Sequence, residues 1–262
     1  MKEDRDTVNI LGVEITRKGR EDVHSLLRDA LERRENLKLF TPNAEILYRA
    51  SKDPELVSLL NQGDLLIPDG IGVTLASRLY REPIRERITG IDTAEFILSV
   101  AAERGMSVYL LGGADGVAEK AAKMLREKLP TLNVCGTHHG YFEKSGTESE
   151  EVAARISVAR PDILFVCLGF PFQERFIAEN TQGLPFLRLS AGLGGSLDVW
   201  SGKVSRAPRI MRKAGLEWLF RNLAEPIRFR RFPSLLGFAL KALRYTTVFN
   251  TNDYKYPPNI SK

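Results

Sequence analysis

At 262 residues and 43% hydrophobic content, the chain is composed as an ordinary globular protein, long enough for one large α/β domain or for one domain with an appendage. Two cysteines, Cys135 and Cys167, lie in apolar runs without CxxC spacing or neighbouring histidines, which argues against a disulfide framework or a zinc site and fits a reducing cytoplasm. The net charge of +5 is unevenly spread: from Lys203 to Arg244 eleven basic residues face only Glu217 and Glu225, so an acidic body (residues 1–202, net −5) carries a strongly basic C-terminal part that suits an anionic partner, either a membrane surface or nucleic acid.

The N-terminus, MKEDRDTVN, lacks an apolar targeting segment, and the longest apolar run, 163–172, is broken by Gly169 and Pro171. These features predict a chain made and kept inside the cell without crossing a membrane. Val23, Leu26, Leu27, Ala30 and Leu31 give the one-sided spacing of a helix over 20–35. Leu37 to Phe40 reads as a strand ending in Thr41-Pro42-Asn43, and a helix from Ala44 is interrupted at Asp53-Pro54, an N-cap followed by proline, before resuming to Leu60.

Leu65-Leu66-Ile67 closes a second strand. Pro68 and Gly70 turn the chain, and a helix follows over 71–80, so Asp69 is delivered to a strand-to-helix corner. At such a corner a carboxylate can serve chemistry, since open α/β sheets bind ligands beyond the carboxyl ends of their strands, or it can merely cap the helix. Both readings stand at this point.

Further on, a helix is expected over 92–104 with Gly105 as its stop, a strand over 107–111 turning at Gly112-Gly113, a helix over 116–129 and a strand over 132–136. Thr147-Glu148-Ser149-Glu150 reads as a capping box for a helix to Arg160. The most apolar strand, 162–168, ends in Gly169-Phe170-Pro171-Phe172-Gln173-Glu174, and a last strand over 186–190 leads into Ala191-Gly192-Leu193-Gly194-Gly195. Strands alternating with helices predict an α/β fold: a Rossmann-like, mostly parallel sheet with helices on both faces. Topology then brings Thr41, Asn43, Asp69, Gly112, Gly113, Gln173, Gly192 and Gly194 to one rim.

From about Ser205 only helical patterning remains, which divides the chain into a catalytic core (1–204) and a helical basic appendage (205–262). Arg221, Arg228 and Arg231 would share a face of a continuous helix unless Pro226 kinks it, with Trp218, Phe229 and Phe232 interleaved. Basic and aromatic residues together suit a helix lying in a membrane interface, or one docked on its own core or on a partner subunit.

Several chemistries are excluded by spacing. The Gly112-Gly113 turn lacks GxGxxG and a ribose-binding acid on the next strand, and no P-loop or GxSxG elbow is present. The one Asp-x-Asp triplet, Asp4-Arg5-Asp6, falls in a polar N-terminal tail away from any expected strand, and His138 and His139 fit a loop better than a metal site. A metal-free rim remains, able to bind a diphosphate and activate a hydroxyl. A non-catalytic module that binds nucleotides or nucleic acid through the basic tail is the rival from a different class.

The segments LFTPNAEILYRA (39–50), IPDGIGV (67–73), RITGIDT (87–93), VYLLGGADGVAEKAA (108–122), AGLGGSLDVWSGKVSRAP (191–208) and GLEWLFRNLAEP (215–226), in this order, closely resemble the WecG/TagA/CpsF glycosyltransferase family. The resemblance implies a cytoplasmic enzyme, peripheral on the inner face of the membrane, that needs no cofactor and transfers a sugar with inversion from a UDP-sugar to a lipid-diphosphate-linked sugar. For the TagA branch the implied reaction is transfer of N-acetylmannosamine to N-acetylglucosamine-diphospho-undecaprenol in wall teichoic acid synthesis; other branches imply N-acetylmannosaminuronic acid or glucose. It places Asp69 as the base, with Thr41, Asn43, Arg87 and Gln173 at active-site positions, and Gly112, Gly113, Gly192, Gly194 and Gln173 against the donor. Arg221, Arg228 and Arg231 match basic positions that hold the lipid diphosphate. Phe172 stands where the family commonly has lysine, which removes one candidate phosphate contact. A monomer and a homo-oligomer both remain open, and no nucleic acid partner is implied.

Overall fold

The computed structural model describes residues 6–208, 210–211, 215, 217, 219–220 and 232–249. It opens with a hairpin that is not among the elements expected from the sequence. β1 (Thr7–Ile10) and β2 (Val13–Thr16) pair antiparallel, and the turn between them is Leu11-Gly12, with φ of 54° and 92°. Val8, Ile10, Val13 and Ile15 point into the core, the period-2 alternation of a half-buried ribbon. The polar tail is therefore shorter than expected, and Asp6 directly precedes a strand; Asp4 and Arg5 lie outside the described residues.

α1 (Arg20–Arg33) leads to β3 (Leu37–Phe40), then α2 (Ala44–Ala50), α3 (Pro54–Leu60) and β4 (Leu65–Leu66). The break between α2 and α3 falls where Asp53-Pro54 predicts it: the Asp53 carboxylate accepts from the Glu55 backbone N–H at 2.9 Å. After α4 (Ile71–Leu79) and α5 (Gly90–Arg104) come β5 (Ser107–Gly112), α6 (Val117–Lys128) and β6 (Asn133–His138). The described chain continues through α7 (Thr147–Ala159), β7 (Ile163–Cys167), α8 (Phe172–Asn180), β8 (Leu189–Gly192) and α9 (Ser196–Trp200), and its last helix is α10 (Phe232–Phe249).

Six strands form one fully parallel sheet in the order β4-β3-β8-β7-β5-β6. Along each strand successive residues go to opposite faces. Leu39, Leu65, Val108, Leu110, Ile163, Phe165 and Leu189 meet α1, α5, α6 and α9 on one side. Phe40, Leu66, Tyr109, Leu111, Leu164 and Val166 meet α2, α4, α7, α8, α10 and the hairpin on the other. A sheet buried on both faces needs this continuous apolar pattern.

Several boundaries shift by a few residues, and four of them have a visible local reason. α5 starts two residues early because the Thr89 hydroxyl accepts from the Asp92 N–H, which makes Thr89 the N-cap. α7 is not opened by a capping box: Gly146 holds the cap position, Thr147 is already helical, and Glu148 takes the Glu143 N–H at 2.6 Å. β8 begins at Leu189 rather than Phe186, since Leu187 still hydrogen-bonds back to Leu184 in a turn. β6 runs on to His138 by pairing with Leu111.

At the amino edge of the sheet the strands are pinned by Asp162. Its carboxylate accepts from the Ser107 N–H and hydroxyl at 2.9 and 3.0 Å and from the Arg188 guanidinium at 2.7 Å. Burial would raise this carboxyl, but those donors hold it below the usual carboxylate range.

α10, within the expected appendage, docks on its own core. Phe238 and Ala242 are buried against α2 and α4, Lys241 donates to the Ser51 carbonyl at 2.5 Å, and Tyr80 and Tyr245 meet ring to ring at 5.0 Å. Gly72 lies against Phe238 as Tyr80 does against Tyr245, so α4 and α10 run side by side in the same direction.

Candidate active site

All six parallel strands end on one open cleft of about 930 Å³, within the roughly 300–1,000 Å³ of small-molecule sites. β3 delivers Thr41 and Asn43, β4 Asp69, β5 Gly113, β6 the loop 140–144, β7 Cys167 to Phe170 with Gln173 beyond, and β8 Leu193 to Gly195. The switch in connection direction between β5, which leads outward to β6, and β7, which leads back to β8, lies within this edge.

Asp69 is half-buried on the β4–α4 corner and lines the cleft, with its N–H bonded to the Pro42 carbonyl at 3.2 Å. The N-cap of α4 is Gly70, with a φ of 98° that a side chain would resist, so Asp69 stands one residue before the capping position. Asn43 lines the cleft and also caps α2, its side-chain oxygen accepting from Ile46 at 3.0 Å. The Thr41 hydroxyl donates to the Gly192 carbonyl at 2.9 Å, tying the ends of β3 and β8 together.

Gln173 is buried at the start of α8, and Glu174 beside it is 1% exposed. Gly113 and Gly194 line the cleft, whereas Gly112 and Gly192 sit just behind it as strand ends. Gly112 is a true close approach: a Cβ there would stand 2.3 Å from the Cys167 carbonyl oxygen. Arg87 is half-buried in the loop before α5 and is not part of the cleft lining; Gly90, which opens α5, packs against Thr41. Arg221, Arg228 and Arg231 lie outside the described residues.

The cleft also holds cations that were not singled out in the sequence. Arg49 donates to the Phe170 carbonyl at 3.2 Å and lies over its ring; Lys144 and Lys203 are the other two in the described lining. Arg49 belongs to the quoted 39–50 segment and follows Asn43 on the same short helix, so the segment contained the signal. Lys144 is reached only through a loop, and burial lowers its ammonium pKa. Phe172 is exposed and lines the same cleft as these three cations. Carboxylates face them: Glu45, Asp69, Glu143, Glu148 and Asp198 also line the cleft. With the N-termini of α4 and α8 opening at the same rim, the arrangement can hold a diphosphate and present a carboxylate beside it.

The model of the Glycosyl transferase WecG/TagA/CpsF family matches residues 8–252. The chain is 34% identical over 215 residues, 82% of each chain, to a Bacillus spizizenii protein named N-acetylglucosaminyldiphosphoundecaprenol N-acetyl-beta-D-mannosaminyltransferase. Proteins of the same name from Bacillus subtilis and Staphylococcus aureus are 36% identical over 204 residues (78% of each chain) and 35% identical over 206 residues (79% of each chain). A non-catalytic binding module is thereby set aside in favour of an enzyme. The match spans both the α/β sheet and α10, and the chain belongs to the WecG/TagA/CpsF family of glycosyl transferases.

Proposed function

We propose that the cleft transfers N-acetylmannosamine from UDP-N-acetylmannosamine to N-acetylglucosamine-diphospho-undecaprenol, with inversion and without a metal ion, in assembly of the wall teichoic acid linkage unit. The observation that carries the chemistry is Asp69, half-buried at the corner where the strand ends converge. As the acceptor hydroxyl attacks the anomeric carbon, its proton passes to the Asp69 carboxylate, the new C–O bond forms, and the bond to the UDP oxygen breaks on the opposite face. General-base help of this kind contributes about 10²–10⁴-fold. Arg49, Lys144, Lys203 and the N-termini of α4 and α8 offset the charge developing on the diphosphate. The sugar itself is assigned from the names of the relatives.

Residues 1–204 then act as the catalytic core and 205–262 as the appendage that meets the lipid, with Arg221, Arg228 and Arg231 clamping its diphosphate. Among the described residues no helix is long and apolar enough to cross a membrane. We place the enzyme peripherally on the inner face of the cell membrane, and α4 and α10 support that placement. Ile71, Leu75 and Leu79 form an exposed stripe on α4, and Leu236, Leu240 and Leu243 form another on α10. Neither helix contains an acidic residue, and both carry cations (Arg78, Lys241, Arg244). Exposed aliphatic side chains on helices whose only charged residues are cations suit an anionic bilayer surface, and the α4 stripe starts two residues after Asp69.

A panel of UDP-sugars assayed with one synthetic N-acetylglucosamine-diphospho-lipid, with and without a divalent-metal chelator, tests the reading. N-acetylmannosamine transfer unaffected by the chelator, with an inverted linkage by NMR, is expected; preference for another donor, a retained linkage or loss of activity on chelation would contradict it.

A further inference from the structure

Gln173 has both ends of its side-chain amide engaged. Its oxygen accepts from the Gly169 N–H at 3.2 Å and from the Gly194 N–H at 2.9 Å, so a single atom joins the turn after β7 to the turn after β8, and both turns line the cleft. Its nitrogen donates to Glu174 Oε1 at 2.9 Å. Gly192 leaves room for the amide, since a Cβ there would come within 3.0 Å of that nitrogen. The Thr41 hydroxyl, bonded to the Gly192 carbonyl, extends the linkage to the β3 end. Rotating the amide by half a turn would set its NH₂ against two backbone N–H donors, so its orientation is fixed from one side by Gly169 and Gly194 and from the other by the acceptor on Glu174.

Glu174 is unusual in its own right. It is 1% exposed, and its Oε2 has no hydrogen-bond partner. A buried carboxyl with an orphaned oxygen is costly, and a side chain kept for packing alone would be better served by leucine. Burial pushes its carboxyl up to about 7, against the pull of Gln173 and Arg49, so at neutral pH a large share of it is the uncharged acid, with Oε1 still able to accept from Gln173.

We propose that Glu174 is a positioning residue for sugar transfer, acting through the Gln173 amide to hold the Gly169 and Gly194 turns at the spacing the bound donor requires. The proposal rests on the transferase reading of the same cleft. It assigns Glu174 no contact with substrate and no proton transfer; what it supplies is an acceptor at one point behind the site. Small misplacements of cleft-lining groups are known to cost up to about 10²-fold in rate.

The test compares Glu174→Leu, which keeps the volume and deletes the acceptor, with Glu174→Gln, which keeps an acceptor oxygen and removes the charge. The full-length protein is used throughout. Glu174→Leu is expected to remain folded, with an unchanged or higher melting temperature, to lose amide-exchange protection at Gly169 and Gly194, and to fall about 10- to 100-fold in kcat/KM for sugar transfer. Glu174→Gln is expected to restore protection and to bring transfer back to within about threefold of the unmodified enzyme. Transfer by the leucine variant within threefold of normal, or equal losses in the two folded variants, would overturn the proposal. If the unmodified chain transfers no sugar from any donor while its Gly169 and Gly194 amides are protected, the transferase reading fails instead, and positioning for transfer falls with it.

Discussion

At the residue scale, Glu174 joins the site to the stability of the fold. Its folded-state carboxyl is raised to about 7 by burial, above the ordinary 4.5, so its favourable contribution is complete below about pH 4.5 and is lost as pH rises through about 7. Glu174→Gln removes that titration. Relative to the unmodified protein it should gain roughly 1–3 kcal/mol of stability between pH 5 and pH 8, read by denaturant unfolding at each pH; parallel pH dependences would show that Glu174 is ionised and satisfied in the fold. Glu174 also marks how far the site could be read from the chain. Thr41, Asn43, Asp69, Gly113, Gln173 and Gly194 are on the cleft, because each directly follows a strand or opens a helix and parallel topology alone carries it there. Lys144 and Lys203 were not legible: one sits in a loop, the other beyond a short helix, and no periodicity fixes where either points. That Gln173 spends its amide on Gly169 and Gly194 was equally hidden, since nothing local pairs positions 173 and 194.

At the scale of elements, two devices are open to direct measurement. Asp162 fastens β5 to the segment entering β8, and its donors hold the carboxyl low. Its contribution is present above about pH 4 and is lost as pH falls through its lowered pKa. Asp162→Ala should therefore destabilise the fold at pH 7 by about 2–4 kcal/mol, leaving the Ser107 donors and Arg188 without their acceptor, and by much less at pH 3; chemical unfolding at the two pH values checks this. The second device is the pair of apolar stripes on α4 and α10. Leu75→Glu with Leu240→Glu changes two side chains that are half or more exposed, so it should leave melting nearly unchanged while cutting sedimentation with phosphatidylglycerol vesicles at least tenfold. Unaltered vesicle binding with a shift in oligomeric state would assign the stripes to a second copy of the chain. The boundaries of α7 and β8 show why elements are read less well than their existence: Gly146 outranks Thr147 as cap, and a turn through Leu184 and Leu187 delays pairing until Leu189.

At the scale of the whole molecule, the alternation of apolar strands with one-sided helices was enough to predict a parallel sheet covered on both faces, since only that arrangement buries both sides of strands such as Ile163–Cys167. Strand order was not readable, because β8 inserts between β3 and β7 through contacts that span most of the chain. Nor was the docking of α10: its stripe fits a membrane, a partner or its own core equally well until Phe238 and Ala242 are seen against α2 and α4. Removing everything from Ser205 onward uncovers that surface and takes away the α10 stripe and its cations, so the truncated chain, which keeps only the α4 stripe, is expected to bind vesicles more weakly and to lose transfer; undiminished vesicle binding by residues 1–204 would put the whole anchor in the core. The measurement that bears most directly on the central claim is transfer of N-acetylmannosamine from UDP-N-acetylmannosamine to a synthetic N-acetylglucosamine-diphospho-lipid by the unmodified enzyme and by Asp69→Asn, with UDP affinity measured in parallel. Acceptor-dependent product from the unmodified enzyme, formed about 10²–10⁴-fold more slowly by Asp69→Asn at unchanged UDP affinity, is the result predicted; no product from the unmodified enzyme, or near-normal turnover by Asp69→Asn, would contradict it.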